Sequence, residues 1–255
     1  MQPEQTSTWT EPPQSPSLET GTVHVWRIAL DQADDRFDRF RRTLEPPELE
    51  RAGRFHFEKH RRHFIVARGF LRSVVARYLG TQPEALRFEY GAYGKPALAS
   101  GHTLRFNLSH SNEVALLAVT LDAELGVDVE HVRADFASED IARRYFSRAE
   151  VEVFNALPQE ERVAAFFRCW TRKEAYIKAI GKGLSQALDT FDVTLGSDLP
   201  AVLLRAEDDD AARWWMSDID VGEGYAGALA VGCPVAEVRF FRHDLQVQQD
   251  RQEKS

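Results

Sequence analysis

The chain has 255 residues, 43% hydrophobic and 28% charged, which fits an ordinary globular protein of one large or two small domains with a real core. Its formal net charge of −8 argues against general nucleic-acid binding, and no apolar run approaches the roughly 20 residues of a membrane span. Two isolated cysteines, Cys169 and Cys233, lack metal-ligand spacing and point to a reducing compartment, the cytoplasm.

Residues 1–20 are rich in Pro, Ser, Thr and Glu, without a basic start or apolar centre, and are expected to form a disordered tail. A strand is predicted over Val23–Leu30, followed by a basic helical stretch. Arg36 to Arg72 holds 11 basic and 5 acidic residues, either the solvated faces of helices or an attractive field for a polyanion. Within it, His56, His60 and His63 have helical i, i+4, i+7 spacing, a metal-binding alternative opposed by Lys59, Arg61 and Arg62. A long helix is predicted over His60–Leu79. Tyr93-Gly-Lys95-Pro96 then makes a turn carrying a cation suited to an anion.

The segment Phe106-Asn-Leu-Ser109-His110-Ser111 reads as a strand end or loop before the buried strand Val114–Val119. Ser, His and nearby amides make a reasonable phosphate cradle. Ser109 and His110 are adjacent on an extended chain and so point apart, which argues against a nucleophile–base pair. Gly126-Val-Asp128-Val-Glu130 alternates as a strand that places both carboxylates on one face, where they repel unless a positive charge lies between them or water solvates that face. Ser147 and Glu150 form a capping-box pattern opening a helix.

The most informative segment is Trp170-Thr-Arg-Lys-Glu-Ala-Tyr-Ile-Lys178-Ala-Ile-Gly-Lys-Gly183. As a helix it carries an apolar stripe at Val163, Phe166, Phe167, Trp170 and Ile177, with Glu174 close to the stripe's centre. A carboxylate there needs a cation, a metal or hydrogen bonds, and Lys178 lies one turn further along. Asp128, Glu130 and Glu174 together offer three hard oxygen ligands, which suit magnesium or manganese. Phe191–Leu195, Ala226–Val231 and Val238–Arg242 read as late strands, and residues 244–255 as a polar tail.

In this order, Gly94-Lys95-Pro96, Phe106–Ser111, Gly126–Glu130, Trp170–Ala175 and Gly181-Lys-Gly-Leu184 closely resemble the Sfp-type 4′-phosphopantetheinyl transferases, over roughly Val23 to Val193. The resemblance implies an α+β pseudodimer of two similar α/β halves, 21–121 and 122–243, with the active site at their junction. No repeat is visible in the residues themselves. It implies a monomer that transfers the 4′-phosphopantetheine of coenzyme A to a serine hydroxyl of an apo acyl or peptidyl carrier protein, releasing 3′,5′-ADP. Neither nucleic acid nor membrane is expected as a partner.

The resemblance also implies roles. Asp128, Glu130 and Glu174 match the acidic positions for Mg²⁺ (with Mn²⁺ an alternative), and Glu174 matches the residue that accepts the serine proton. Lys178 and His110 are expected to offset charge on the reacting phosphates. Lys95, Ser109, His110, Lys173 and Lys178 match coenzyme A contacts, with Arg51 near the 3′-phosphate. Glu48 stands where relatives can carry a lysine. The competing class is a non-catalytic module that binds coenzyme A or a carrier protein, and a scaffold docking carriers through Arg143 and Arg144 is a third.

Overall fold

The computed structural model describes residues 7–99, 101–183 and 186–243; the 244–255 tail and Leu184 lie outside the described residues. The first half contains β1 (Trp9–Thr10), β2 (Thr22–Ala29), α1 (Asp34–Arg42), α2 (Pro46–Gly53) and α3 (Glu58–Leu79). It continues with β3 (Phe88–Tyr90), β4 (Pro96–Leu98), β5 (Leu104–Ser111) and β6 (Val114–Leu121). The second half opens with β7 (Leu125–His131), α4 (Glu139–Tyr145), α5 (Arg148–Ala156) and α6 (Gln159–Ile180). It ends with β8 (Phe191–Val193), β9 (Leu203–Ala206), β10 (Trp215–Asp218), β11 (Tyr225–Val231) and β12 (Glu237–Arg242).

The fold is mixed α+β. A five-stranded sheet has the order β1-β12-β2-β6-β5, and a three-stranded sheet the order β10-β11-β7. Hairpins β3-β4 and β8-β9 flank them. The long helix α3 packs on the first sheet because Val66, Phe70, Leu71, Val74 and Val75 form an apolar face, all buried. A Cβ on Gly69 would lie 2.5 Å from the Cβ of Phe40, so only glycine lets α1 cross α3 this closely. In the second half α6 is the central helix, packed by Phe166, Phe167 and Ile177 against α5, β8 and β11 residues. Ser147 and Glu150 do form the capping box that starts α5.

A third core joins the halves. Val23, Val25, Leu116 and Ala118 of the larger sheet meet Val127, Val129, Leu229 and Val231 of the smaller one. The outward alternation of β7 explains this. Val127 and Val129 face the other sheet, which leaves Gly126, Asp128 and Glu130 facing α6.

Two features depart from the expected layout. Strand β12 does not stay with the second half but pairs in parallel with β2, with Phe240 opposite Val25 and Phe241 opposite Trp26. Residues 1–20 were expected to be a disordered tail, yet Trp9–Thr10 pair with Phe240 and Phe241 at the sheet edge. Trp9 lies 5.2 Å from the Phe240 ring and donates its indole N–H to the Asp220 carbonyl at 2.7 Å. An indole with an apolar neighbour and a satisfied N–H offsets the cost of ordering that segment. No helix among the described residues is long and apolar enough to cross a membrane.

Leu116→Ala, in the core shared by both sheets, is expected to cost about 3 kcal/mol in urea unfolding. Fluorescence and far-ultraviolet dichroism should shift together, because the lost methyl groups support both halves. A loss below about 1 kcal/mol would mean that the halves do not share this core.

Candidate functional site

The site forms where β5, β7 and α6 meet. Strand β5 offers three alternate polar side chains, Asn107, Ser109 and Ser111, to β7 of the other sheet. Asn107 Oδ1 accepts the Val127 amide at 2.9 Å, and Ser111 Oγ accepts the His131 amide at 3.1 Å. Ser109 donates to Asp128 Oδ1 at 2.8 Å, and Ser111 to Glu130 Oε2 at 2.7 Å. This polar ladder replaces the backbone pairing that two separate sheets cannot make, and it holds both carboxylates. The sequence reading found Ser109 but missed Asn107 and Ser111. Their signal was present: Asn-x-Ser-x-Ser puts three short hydrogen-bonding side chains on one strand face. The segment is therefore not a loop but the end of a strand.

Gly126 sets how near β7 comes to α6. A Cβ at this position would sit 2.0 Å from the Ala175 carbonyl oxygen and 2.4 Å from the Ala179 nitrogen. Backbone atoms cannot swing aside as a flexible side chain could. The close approach brings Asp128 and Glu130 to the face of α6 that carries Glu174 and Lys178. Lys178 Nζ bonds Asp128 Oδ1 at 2.5 Å and Ser109 Oγ at 2.8 Å.

The electrostatics follow from this crowding. Burial, then the nearby Asp128 charge, pushes the Glu174 carboxyl up to about 7, against the opposing pull of Lys178. Glu130 is raised by burial and Asp128, an effect its Ser111 hydrogen bond only partly counters. Burial alone would lower Lys178, but Asp128, Glu174 and Glu130 outweigh it and hold its pKa above the ordinary value. Asp128 Oδ2 is buried and has no hydrogen-bond partner among the described residues.

A buried, orphaned carboxylate oxygen beside two further carboxylates is a hard-oxygen donor set suited to a divalent cation. Among the described residues, no three His, Cys, Asp or Glu side chains are gathered as a ready-made metal cage.

The remaining expected site residues scatter. His110 points away from Ser109, and crowding of its ring, then the nearby Lys178 and His63, lower its pKa. Lys173, expected among the cofactor contacts, is buried on a different side of α6 from the carboxylate cluster. Its ammonium pairs with Glu150 at 2.7 Å and donates to the Leu188 and Phe191 carbonyls at 2.7 and 2.6 Å, so no donor is left for a phosphate. Arg172 likewise anchors the helix, donating twice to Asp218 and to Thr194. Lys95 is turned inward onto backbone carbonyls. Arg51 lies on the exposed face of α2, its guanidinium 5.3 Å from the Phe64 ring centre.

Glu48 is buried and accepts from Arg68 and Arg72 at 2.6 and 2.7 Å, which explains a glutamate at this position: it is the counter-ion of two buried arginines. The His56–His60–His63 constellation is not assembled. His56 precedes the first turn of α3, and His63 bonds Asp31 at 2.6 Å.

Residues 31–122 match the family described as "4'-phosphopantetheinyl transferase, N-terminal", and residues 124–230 match the "4'-phosphopantetheinyl transferase superfamily". The chain is 38% identical over 227 residues to 4'-phosphopantetheinyl transferase HetI of Nostoc sp., covering 88% of this chain and 93% of that protein. It is 29% identical over 215 residues to 4'-phosphopantetheinyl transferase Sfp of Bacillus subtilis, covering 83% and 93%. With 4'-phosphopantetheinyl transferase psf-1 of Bacillus pumilus the identity is 35% over 187 residues, covering 71% and 78%. The crystal structure of Thermotoga maritima holo-[acyl-carrier-protein] synthase aligns at 25% identity with a TM-score of 0.33, over 42% of this chain and 61% of that one.

The raised Glu174 pKa has a consequence for stability. A carboxyl ordinarily near 4.5 that titrates near 7 when folded keeps its proton while the unfolded chain loses it. Stability is therefore lost as pH rises from about 4.5 through about 7. In metal-free buffer, Glu174→Gln should abolish this loss and be more stable than wild type at pH 8 by up to about 3 kcal/mol. Urea titrations at pH 4.5 and 8 measure it. Equal pH slopes in the two proteins would contradict the burial described.

Proposed function

The chain belongs to the 4′-phosphopantetheinyl transferase superfamily, and from that premise we propose that it transfers the 4′-phosphopantetheine group of coenzyme A to a serine hydroxyl of an apo acyl or peptidyl carrier protein. The reading is carried by one observation: Asp128, Glu130, Glu174 and Lys178 converge at a single junction, with Glu174 poised near neutral pH.

In this proposal the carrier serine Oγ attacks the β-phosphorus of coenzyme A. A new Oγ–P bond forms, the bond to the leaving phosphate of 3′,5′-ADP breaks, and the serine proton passes to the Glu174 carboxylate. A base whose pKa lies near the working pH combines adequate basicity with a substantial ionised fraction. No hydrogen bond among the described residues engages the Glu174 carboxyl, so its oxygens are available to a proton. Lys178 presents fixed positive charge where the pyrophosphate oxygens gather negative charge, and Ser109 holds its ammonium in place. His110, its pKa lowered, meets the phosphates at neutral pH as a neutral hydrogen-bond donor rather than as a cation.

Asp128, Glu130 and Glu174 would hold Mg²⁺, which when bound supplies Lewis-acid stabilisation and a template for the pyrophosphate. Two halves of one chain supply all these groups, which supports a monomer. Free Cys169 and Cys233, with coenzyme A as co-substrate, support action in the cytoplasm. Arg51 and the basic α1–α3 surface supply the field expected for the 3′-phosphate end.

Intact-mass spectrometry of a panel of apo carrier proteins, incubated with the protein, coenzyme A and Mg²⁺, tests the reading. A gain of one phosphopantetheine is expected with wild type. Glu174→Gln should lower the initial rate by at least about 100-fold, and a chelator should stop the reaction. Tight coenzyme A binding with no mass gain on any carrier would favour the non-catalytic module instead.

A further inference from the structure

We infer that Lys95 is a positioning residue for the transfer: a lysine of the first half that clamps the end of α6 and the start of β7, rather than a contact of the coenzyme A phosphates. The inference rests on the function proposed above and concerns the same site.

Three backbone carbonyls receive the Lys95 ammonium: Lys178 at 2.6 Å, Leu125 at 2.9 Å and Ala179 at 3.0 Å. An ammonium has three donors, so none remains for a phosphate. The choice of acceptors is informative. The last carbonyls of a helix have no partner within it, and a cation there also complements the negative end of the helix dipole. Lys178 itself carries the charge that bonds Asp128, so the clamp grips the backbone of a residue of the acidic cluster. Leu125 directly precedes Gly126, and Ala179 is one of the two residues whose backbone lies against it. Lys95 therefore fastens both sides of the close β7–α6 contact from outside the second half.

The local chain is shaped for this reach. Gly94 has φ +80°, a left-handed conformation that glycine adopts freely, and the turn closes with the Gly91 amide donating to the Lys95 carbonyl at 3.0 Å. Opposite it, α6 ends on Gly181 at φ +71°, and a Cβ there would lie 3.6 Å from Lys95 Cδ. At Gly183 a Cβ would meet the Cβ of Tyr93 at 3.5 Å. The Tyr-Gly-Lys-Pro and Gly-Lys-Gly turns, some 90 residues apart, are thus two faces of one joint. Burial lowers the Lys95 pKa to about 8, which still leaves the clamp mostly charged at neutral pH.

Lys95→Met keeps the aliphatic stem and removes the donors; Lys95→Gln keeps donors with a shorter reach and serves if the first variant does not fold. Steady-state kinetics on an apo carrier, calorimetric coenzyme A binding and amide exchange of the ligand-free protein are measured together. The clamp predicts a kcat loss of about tenfold or more, with KM and Kd for coenzyme A within about threefold of wild type. It also predicts faster exchange over residues 178–183. A phosphate contact predicts the reverse: Kd weakened by about tenfold or more, kcat recovered at saturating coenzyme A and exchange unchanged, which would overturn the inference. Exchange and calorimetry need no carrier. If wild type modified none, the proposed function would fail while the role of Lys95 would still be decided.

Discussion

Everything at the candidate site depends on how closely β7 can lie against α6, and that distance is set by the missing side chain of Gly126. With backbone contacting backbone, Asp128 and Glu130 from the strand and Glu174 and Lys178 from the helix share one small volume. Other parts of the second half hold that contact in place. Arg172 ties one side of α6 to Asp218 and Thr194, and buried Lys173 ties it to Glu150 and the Leu188 and Phe191 carbonyls. Lys95 holds the far end of the helix from the other half. The signature Arg-Lys-Glu is thus divided in function: two cations fix the helix so that the following carboxylate is presented at the junction.

The arrangement is stable only with compensation. Burial and the neighbouring Asp128 charge raise the proton affinity of Glu174 and Glu130 in this half-buried corner. Lys178 offsets some of it, and the Ser109 and Ser111 hydroxyls some more. The orphaned Asp128 oxygen remains uncompensated among the described residues. A buried acceptor without a partner is the kind of strain that functional sites retain when a ligand relieves it.

Much of this was legible in the sequence, for reasons of period. Strand alternation alone places Asp128 and Glu130 together, and helical spacing alone places Lys178 one turn beyond Glu174 and sets Glu174 against an apolar stripe. The order of the motifs pointed to the family that the comparisons then showed. What could not be read were directions set by distant partners. Lys173 and Glu174 are neighbours in sequence but lie about 100° apart around a helix, and only Glu150, 23 positions upstream, shows which way Lys173 faces. Lys95 is a cation on a turn until its three acceptors, up to 84 positions away, are seen. The return of β12 to the first sheet, and the capture of Trp9 beside it, are long-range pairings that short windows cannot carry. Glu48 is the reverse case, an apparent departure that its two buried arginines account for.

The dependence of the site on this contact is tested by the transfer rate of Gly126→Ala on an apo carrier at saturating coenzyme A and Mg²⁺, with dichroism confirming a folded protein. A single methyl group that pushes α6 off β7 by roughly an ångström should lower the rate by about 100-fold. Near-wild-type transfer would show that the acidic cluster does not depend on this contact.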